Sequence, residues 1–419
     1  MASRLFARVR GLRKAQVMAN ASHPVIDPVE LTRDLIRIPS VTPADEGAMD
    51  VLERTLTGLG FACRRLVFSG PSGEGRDAPI ENLYARRGTA SPNLCFAGHT
   101  DVVPTGAASA WSSSPFAAEV KDGVLYGRGA VDMKGGIAAW VAAVSRLLAA
   151  HAETGDEVAG SLSFLITGDE EGPALHGTKR VVETLMAEGE VIDACVVGEP
   201  SSSQALGDMI KVGRRGSLNS WITVHGKQGH VAYPDRAANP APVMARLLAR
   251  LSDHRLDDGY EAFQPSNLEI TTIDIGNTAT NIIPAEAHAR LNIRFNPTHT
   301  GDSLIAWLNS MAGDAQAESG LRIELEHLCS GDAFLTQAGA FVTAVQDAVE
   351  AETGRRPEAS TTGGTSDARF IRALCPVLEL GLVGQTMHQI DERVPVSEIE
   401  ALTGVYERVI GTVFERLKG

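Results

Sequence analysis

The chain has 419 residues, 43% hydrophobic and 21% charged, which fits a globular protein of roughly two to three domains and excludes wholesale disorder. A net charge of −14 argues against a nucleic-acid groove or an anionic membrane surface as the main partner, and no apolar run approaches the roughly 18 residues of a membrane span. Five scattered cysteines (Cys63, Cys95, Cys195, Cys329, Cys375) form no C-x-x-C pair and read as cytoplasmic thiols, not a disulfide framework.

Residues 1–26 hold Arg4, Arg8, Arg10, Arg13 and Lys14 and no acid. They lack the long apolar stretch of a secretory signal. A transit-like amphipathic segment and a loose extension are both open, and 1–23 is taken as a loose extension. Helical spacing begins at 28–38, where Val29, Leu31, Leu35 and Ile38 share a face and Pro39 ends the run. It repeats over 46–59. The Gly/Ser/Pro-rich stretch 69–79 reads as a surface loop. Short apolar runs follow at 93–97, 161–167, 192–197 and 376–383, each closed by a polar or glycine-containing turn. Such runs fit strands of a largely parallel sheet buried on both faces. A helix pattern at 134–150 and another at 340–352 lie among them, so the order argues α/β.

The middle of the chain has a different rhythm. Residues 218–224 alternate, 240–251 show helical spacing, 267–275 read as a strand and 285–295 alternate again. A helix at about 301–312 and an alternating 321–326 complete a β-α-β-β-α-β order, the ferredoxin-like arrangement. The reading is a mixed, largely parallel α/β catalytic domain (24–215 and 329–419) with an inserted ferredoxin-like domain (216–328).

Chemistry-bearing residues cluster after the strand-like runs. His99 and Asp101 follow 93–97, Asp132 precedes the helix at 134–150, Asp169, Glu170 and Glu171 follow 161–167, Glu199 follows 192–197 and His388 follows 376–383. Open α/β sheets bind ligands at the carboxyl ends of their strands. Taken singly, each residue has an ordinary reading: a hydrogen-bonded histidine, a helix N-cap at Asp132, a solvated acidic turn at 169–171. Together, two imidazoles and several carboxylates at one edge call for compensating cations. Histidine and carboxylate without thiolate favours Zn²⁺, with Co²⁺ or Mn²⁺ also compatible.

These residues lie in segments that resemble the M20 family of zinc-dependent metallopeptidases and deacylases. The segments are AGHTDVVP (97–104), YGRGAVDMKGG (126–136), TGDEEGP (167–173), VGEP (197–200), GDMIKVGRRGS (207–217), GKQGHVAYP (226–234), NIIP (281–284), TTGGTSDARF (361–370) and MHQIDE (387–392). GRRGS, GKQGHVAYP and TTGGTSDARF point to the desuccinylase branch of that family. The resemblance implies two Zn²⁺ per subunit, with Co²⁺ possible at one or both sites. One ion would be held by His99, Asp132 and Glu199, the other by Asp132, Glu171 and His388, with Asp132 bridging. Asp101 would hydrogen-bond His99 and fix its tautomer. Glu170 would be the general base for a water attacking an amide carbonyl.

The implied reaction is hydrolysis of N-succinyl-LL-2,6-diaminopimelate to succinate and LL-2,6-diaminopimelate, in lysine and cell-wall precursor synthesis. The implied partners are a small N-succinyl amino acid and a second copy of the chain, in the cytoplasm, with no nucleic acid and no membrane. A substrate with several carboxylates calls for planar cationic clamps. Arg214, Arg215 and Arg294 are the candidates, with Gly364, Thr365 and Asn281 as further substrate contacts. His230, on the inserted lid and dimerisation domain, resembles a histidine that reaches the neighbouring subunit's site. A surface basic pair at Arg214–Arg215, a loop histidine at 230 and a turn residue at Asn281 stay open. Gly384 and Asp391 stand where the branch commonly carries asparagine. Another N-acyl-amino-acid deacylase, of the acetylornithine deacetylase type, and a catalytically silent zinc-binding module are the alternative readings.

Overall fold

A computed structural model describes residues 24–70, 78–155, 158–260 and 262–418. The expected extension 1–23 and most of the expected loop 69–79 lie outside the described residues. In chain order the principal elements are α1 (Pro28–Ile36), α2 (Ala48–Gly58), β1 (Ala62–Phe68), β2 (Ile80–Arg87), β3 (Asn93–His99), α3 (Lys134–Thr154), β4 (Ser161–Thr167), α4 (Thr178–Glu188), β5 (Ala194–Val197) and β6 (Met209–Lys211). They continue with β7 (Gly216–His225), α5 (Ala241–Asp253), β8 (Asn267–Asp274), β9 (Glu286–Phe295), α6 (Gly301–Ser319), β10 (Ile323–Gly331), α7 (Ala340–Thr353), β11 (Glu358–Ser360), β12 (Val377–Glu379) and α8 (Val396–Leu417).

The larger sheet has eight strands in the order β1-β2-β4-β3-β5-β12-β6-β11. Its centre, β4-β3-β5-β12, is parallel throughout, while β1, β2 and the β12–β6 pair are antiparallel. The central strands are buried along their whole length because helices cover both faces. On one face α3 packs Ile137, Trp140, Val141 and Val144 against Phe96, with Tyr406 of α8 behind. Phe96 and Trp140 stack at 4.8 Å, and Tyr406 meets Trp140 edge-on at 4.8 Å. On the other face Val181, Val182 and Leu185 of α4 cover Cys95, Ala97 and Leu165. α3 is apolar and long enough by composition to span a membrane, but 67% of that window is buried inside the fold.

Residues of β7 to β10 form a second, wholly antiparallel sheet in the order β8-β9-β7-β10. Alternation decides its sides: Leu218, Ile222 and Val224 face Ala287, Ala289, Leu291 and Ile293 on the covered side, under Met244, Leu247 and Leu251 of α5 and Leu304 and Leu308 of α6. The β-α-β-β-α-β order expected from the sequence is therefore present, and its strand order is that of a ferredoxin-like unit.

The parallel core places four strand ends at one edge. β3 ends on His99, β4 leads into 168–171, β5 into Gly198 and Glu199, and β12 into the segment carrying His388. Two glycines let α3 come up against that edge. A Cβ at Gly135 would stand 2.5 Å from the Ala130 carbonyl oxygen, and one at Gly136 would stand 2.7 Å from that of Gly198. The start of α3, with Asp132 just ahead of it, therefore sits against the turn that bears Glu199.

Candidate active site

At the end of β3 the His99 Nδ1–H donates to the Asp101 main-chain carbonyl at 2.8 Å. In the neutral ring this fixes the tautomer and leaves the Nε2 lone pair toward the carboxylates. The side-chain contact expected between Asp101 and His99 is replaced. The nearer Asp101 carboxylate oxygen lies 3.7 Å from Nδ1, and its two oxygens accept the N–H groups of Glu170 (3.2 Å) and Glu171 (3.0 Å). Two half-buried main-chain donors need partners, and the Asp101 carboxylate satisfies both. Asp101 thus orients His99 with its carbonyl and the Glu170–Glu171 turn with its side chain.

Asp132 precedes α3, but the cap position is Met133 and no side chain caps that helix end. The carboxylate is free to face the histidines: Oδ1 is 3.2 Å from His99 Nε2 and Oδ2 is 3.2 Å from His388 Nε2. His388 Nε2 also lies 2.9 Å from Glu171 Oε1, and Glu199 Oε1 lies 3.9 Å from His99 Nε2. Ligand atoms of His99, Glu170 and Glu199 lie within 4.8 Å of one another, as do those of His99, Asp132 and Glu171. Glu170 therefore stands within the cluster, beside the expected ligands.

The electrostatics are those of crowded acids. Burial, opposed by His99 and reinforced by Asp367 and Glu171, lifts the Glu170 pKa well above the carboxylate range. Burial together with Asp132 and Glu170 does the same to Glu199. Burial raises Asp101 to about 6. Burial works against charge on Asp132, yet hydrogen bonds from His388 and His99 hold its pKa below the usual value. The Asp132 and Glu171 carboxylates raise His388 to about 10. His99 is lifted well above its ordinary value by Asp132 and Glu199 in spite of burial. Several carboxylates cannot share a dry corner as anions without positive charge. The donor set, oxygen and imidazole nitrogen with one carboxylate offering an oxygen to each histidine, fits a pair of divalent cations.

Asp132, Glu170, Glu171, Glu199 and His388 line a cleft of about 530 Å³ that also takes in Arg214, Gly364, Thr365 and Gln385. Arg214 reaches the cleft wall with its guanidinium already engaged. Nε donates to Glu379 at 2.8 Å, Nη2 donates to the other Glu379 oxygen, and Nη1 donates to the Thr362 carbonyl at 2.9 Å. Arg215, Arg294, Asn281 and His230 are not among the residues lining the cleft. Arg215 and Arg294 are neighbours at the base of the smaller sheet; Arg215 donates to the Asn267 side chain at 2.9 Å, and burial and Arg215 lower the Arg294 pKa. His230 is exposed on a short strand paired with Ile282–Ile283, beside Asn281, whose carbonyl accepts from Val231 N–H at 3.1 Å. Its Nδ1 accepts from Ala232 N–H at 3.1 Å, which leaves Nε2 as the donor. Gln385, adjacent to the departure at Gly384, donates to the Ser203 carbonyl at 3.2 Å. Asp391 accepts from the N–H and hydroxyl of Ser112 at 2.8 and 3.1 Å.

Two acids that serve the site have no role in the sequence reading. Glu379 is the lone charge in an apolar strand, and Glu392 is buried four residues past His388. A solitary acid inside an apolar run is the available signal, because it requires a buried cation or a set of N–H donors nearby.

A doubly covered α/β sheet with histidines and carboxylates converging at its strand ends is the frame of a metal-dependent hydrolase. Residues 95–412 match the model of peptidase family M20/M25/M40, and the chain belongs to that family. It is 63% identical over 395 residues to a succinyl-diaminopimelate desuccinylase of Caulobacter sp. (strain K31), covering 94% of this chain and 98% of the other. It is 64% identical over 389 residues to one of Phenylobacterium zucineum (strain HLK1), covering 93% and 99%. Among solved structures, the M20 family metallo-carboxypeptidase Sso-CP2 from Sulfolobus solfataricus shares the fold with a TM-score of 0.76 at 17% identity, covering 93% of this chain and 99% of that one.

Proposed function

We propose that the protein hydrolyses N-succinyl-LL-2,6-diaminopimelate, releasing succinate and LL-2,6-diaminopimelate, in lysine and diaminopimelate biosynthesis in the cytoplasm. The observation that carries this reading is identity of 63–64% with the two desuccinylases above over 93–94% of the chain, whose strand ends hold a histidine–carboxylate cluster.

His99, Asp132 and Glu199 would hold one Zn²⁺ and Asp132, Glu171 and His388 the second, with Co²⁺ able to replace either. Bound there, such ions supply Lewis-acid polarisation of the amide carbonyl and lower the pKa of the attacking water. Glu170 takes the proton that this water loses and passes it to the amide nitrogen as the C–N bond breaks, so the products leave as a carboxylate and an amine. Gly364 and Thr365 form the wall on which the substrate rests. Arg215 and Arg294, two neighbouring guanidinium groups, are the clamp for a substrate carboxylate once the smaller domain, 216–328, closes over the cleft. That domain also forms the dimer contact, so that His230 Nε2–H of one subunit serves the oxyanion in its partner's site.

The test is amine release from a panel of N-acyl amino acids, including N-succinyl-diaminopimelate and N-acetylornithine, with and without chelator and added zinc. Chelator-sensitive cleavage of the succinyl substrate is expected. Cleavage of acetylornithine in its place, or activity untouched by chelator with the metal removed, refutes the reading.

A further inference from the structure

One side-chain pair behind the cluster is buried and not part of the chemistry above, and of its polar atoms only Arg128 Nε lacks a partner. Glu392 has no solvent exposure and Arg128 has 2%. Each Glu392 oxygen accepts two hydrogen bonds. Oε2 takes Arg128 Nη1 at 2.8 Å and Gly129 N–H at 3.0 Å; Oε1 takes Val131 N–H at 2.9 Å and Asp132 N–H at 3.2 Å. Successive main-chain N–H groups curled toward one point make an anion-binding concavity, and here the anion is a side chain of the same protein. The Glu392 main chain closes the loop, its carbonyl accepting from Gly127 N–H at 2.9 Å.

Arg128 works in the other direction. Nη1 also donates to the Gln389 carbonyl at 3.2 Å, and Nη2 approaches the carbonyls of Pro104 (3.4 Å) and His388 (3.5 Å). Its guanidinium carbon lies 5.3 Å from the centre of the Trp111 ring, which covers it. The segment it grips is an unfavourable one for a free chain, since His388 and Asp391 both adopt positive φ, +61° and +58°. Such conformations persist only where the surroundings over-determine them.

The two loops joined in this way are those that carry Asp132 and His388, whose facing atoms lie 3.2 Å apart. A buried ion pair is a weak source of stability compared with apolar packing of the same volume, so its presence here points to geometry. We propose that Arg128 and Glu392 are positioning residues of the metal site. They lock the main chain of 129–132 to the 388–392 segment, so that Asp132 and His388 present their ligand atoms as one rigid unit. This rests on the metal reading given above.

The test compares apoprotein of the wild type, Glu392→Gln and Arg128→Lys by metal titration against a competing chelator, with thermal melting of each apoprotein. In Glu392→Gln an amide N–H₂ faces N–H donors, so two contacts become repulsive. Affinity for the weaker-held ion should fall roughly 10–100-fold, the usual effect of losing a partner behind a ligand. Arg128→Lys keeps the charge but loses the fork, and should fall in the same direction by less. With metal saturating, kcat should drop while KM for the substrate holds, since neither residue touches it. Lowered melting temperatures with unchanged metal affinities would assign the pair to stability alone and overturn the proposal. Where Glu392→Gln does not fold, Arg128→Lys carries the same comparison. A wild type that takes up no ion under these conditions defeats the metal reading itself, which is a separate outcome.

Discussion

Replacing Arg214 with methionine should destabilise the protein far more than a typical surface change. Arg214 is 9% exposed and Glu379 is 1% exposed. The substitution removes both bonds to the Glu379 carboxylate and the bond to the Thr362 carbonyl, leaving Ser366 Oγ as the partner that Glu379 retains. Stranding a buried charge in this way costs about 3–5 kcal/mol, a large part of a total stability on the order of 5–15 kcal/mol. The double variant Arg214→Met/Glu379→Leu removes both charges and should recover most of that loss. The assay is urea denaturation of wild type, both single variants and the double variant, with the coupling taken from the cycle. A second readout separates stability from function. At Gly363 a Cβ would meet Arg214 Nη1, and φ is +108°, so the chain passes directly over the guanidinium. Gly364 and Thr365 follow on the cleft wall. The double variant should therefore regain stability and still show a raised KM. A loss below about 1 kcal/mol in Arg214→Met, or single-variant losses that simply add, would refute the reasoning.

Two further outcomes are expected. Glu170→Ala should retain two metal ions per chain by elemental analysis and lose roughly 10²–10⁴-fold in turnover; a folded, loaded variant with wild-type turnover would remove Glu170 from the reaction. His230→Ala and Glu170→Ala, each inactive alone, should restore activity when mixed as heterodimers, because one site then has its own Glu170 and the partner's His230; verified heterodimers without activity would place His230 outside the neighbouring site.

The parts of the fold legible in the sequence are those whose residues meet only one kind of neighbour. The central strands are buried on both faces, so 161–167 reads as a short, mostly apolar run and is recovered as β4 with the same bounds. β7 and β9 have one covered face, so they alternate. β1 was invisible for the opposite reason. Arg64 and Arg65 interrupt its pattern, and their partners lie outside the strand: Asp50 and Glu53 in α2, Glu81 in β2 and Glu188 at the end of α4. The candidate ligands are legible because four of them lie at or after the ends of sheet strands and Asp132 lies just ahead of α3. The engagement of Arg214 was not, since GRRGS looks the same whether its first arginine meets a substrate or the Glu379 carboxylate 165 positions later. Asp101 shows the finer limit: local spacing places it beside His99, but the donors that claim its carboxylate come from the turn after β4.

Two buried arginine–glutamate pairs brace the site, Arg128–Glu392 behind the cluster and Arg214–Glu379 at the cleft wall, and their presence has a physical reason. The cluster gathers carboxylates whose burial, reinforced by their mutual repulsion, pushes Glu170 and Glu199 toward the protonated form. Left to flexible loops, such groups would turn outward to water, because the carboxylates outnumber the two histidines that could offset their repulsion. Each ion pair opposes that relaxation in the loops it joins. Arg128–Glu392 ties the Asp132 loop to the His388 segment, and Arg214–Glu379 holds the Thr362 carbonyl and, through Ser366, the 362–366 turn. Apolar residues could fill the same volumes at no loss of stability, but they offer no directional bonds to main-chain N–H and C=O groups. A site whose ligands repel one another needs its loops fixed from behind, and buried forks that bond to the backbone on two sides meet that need.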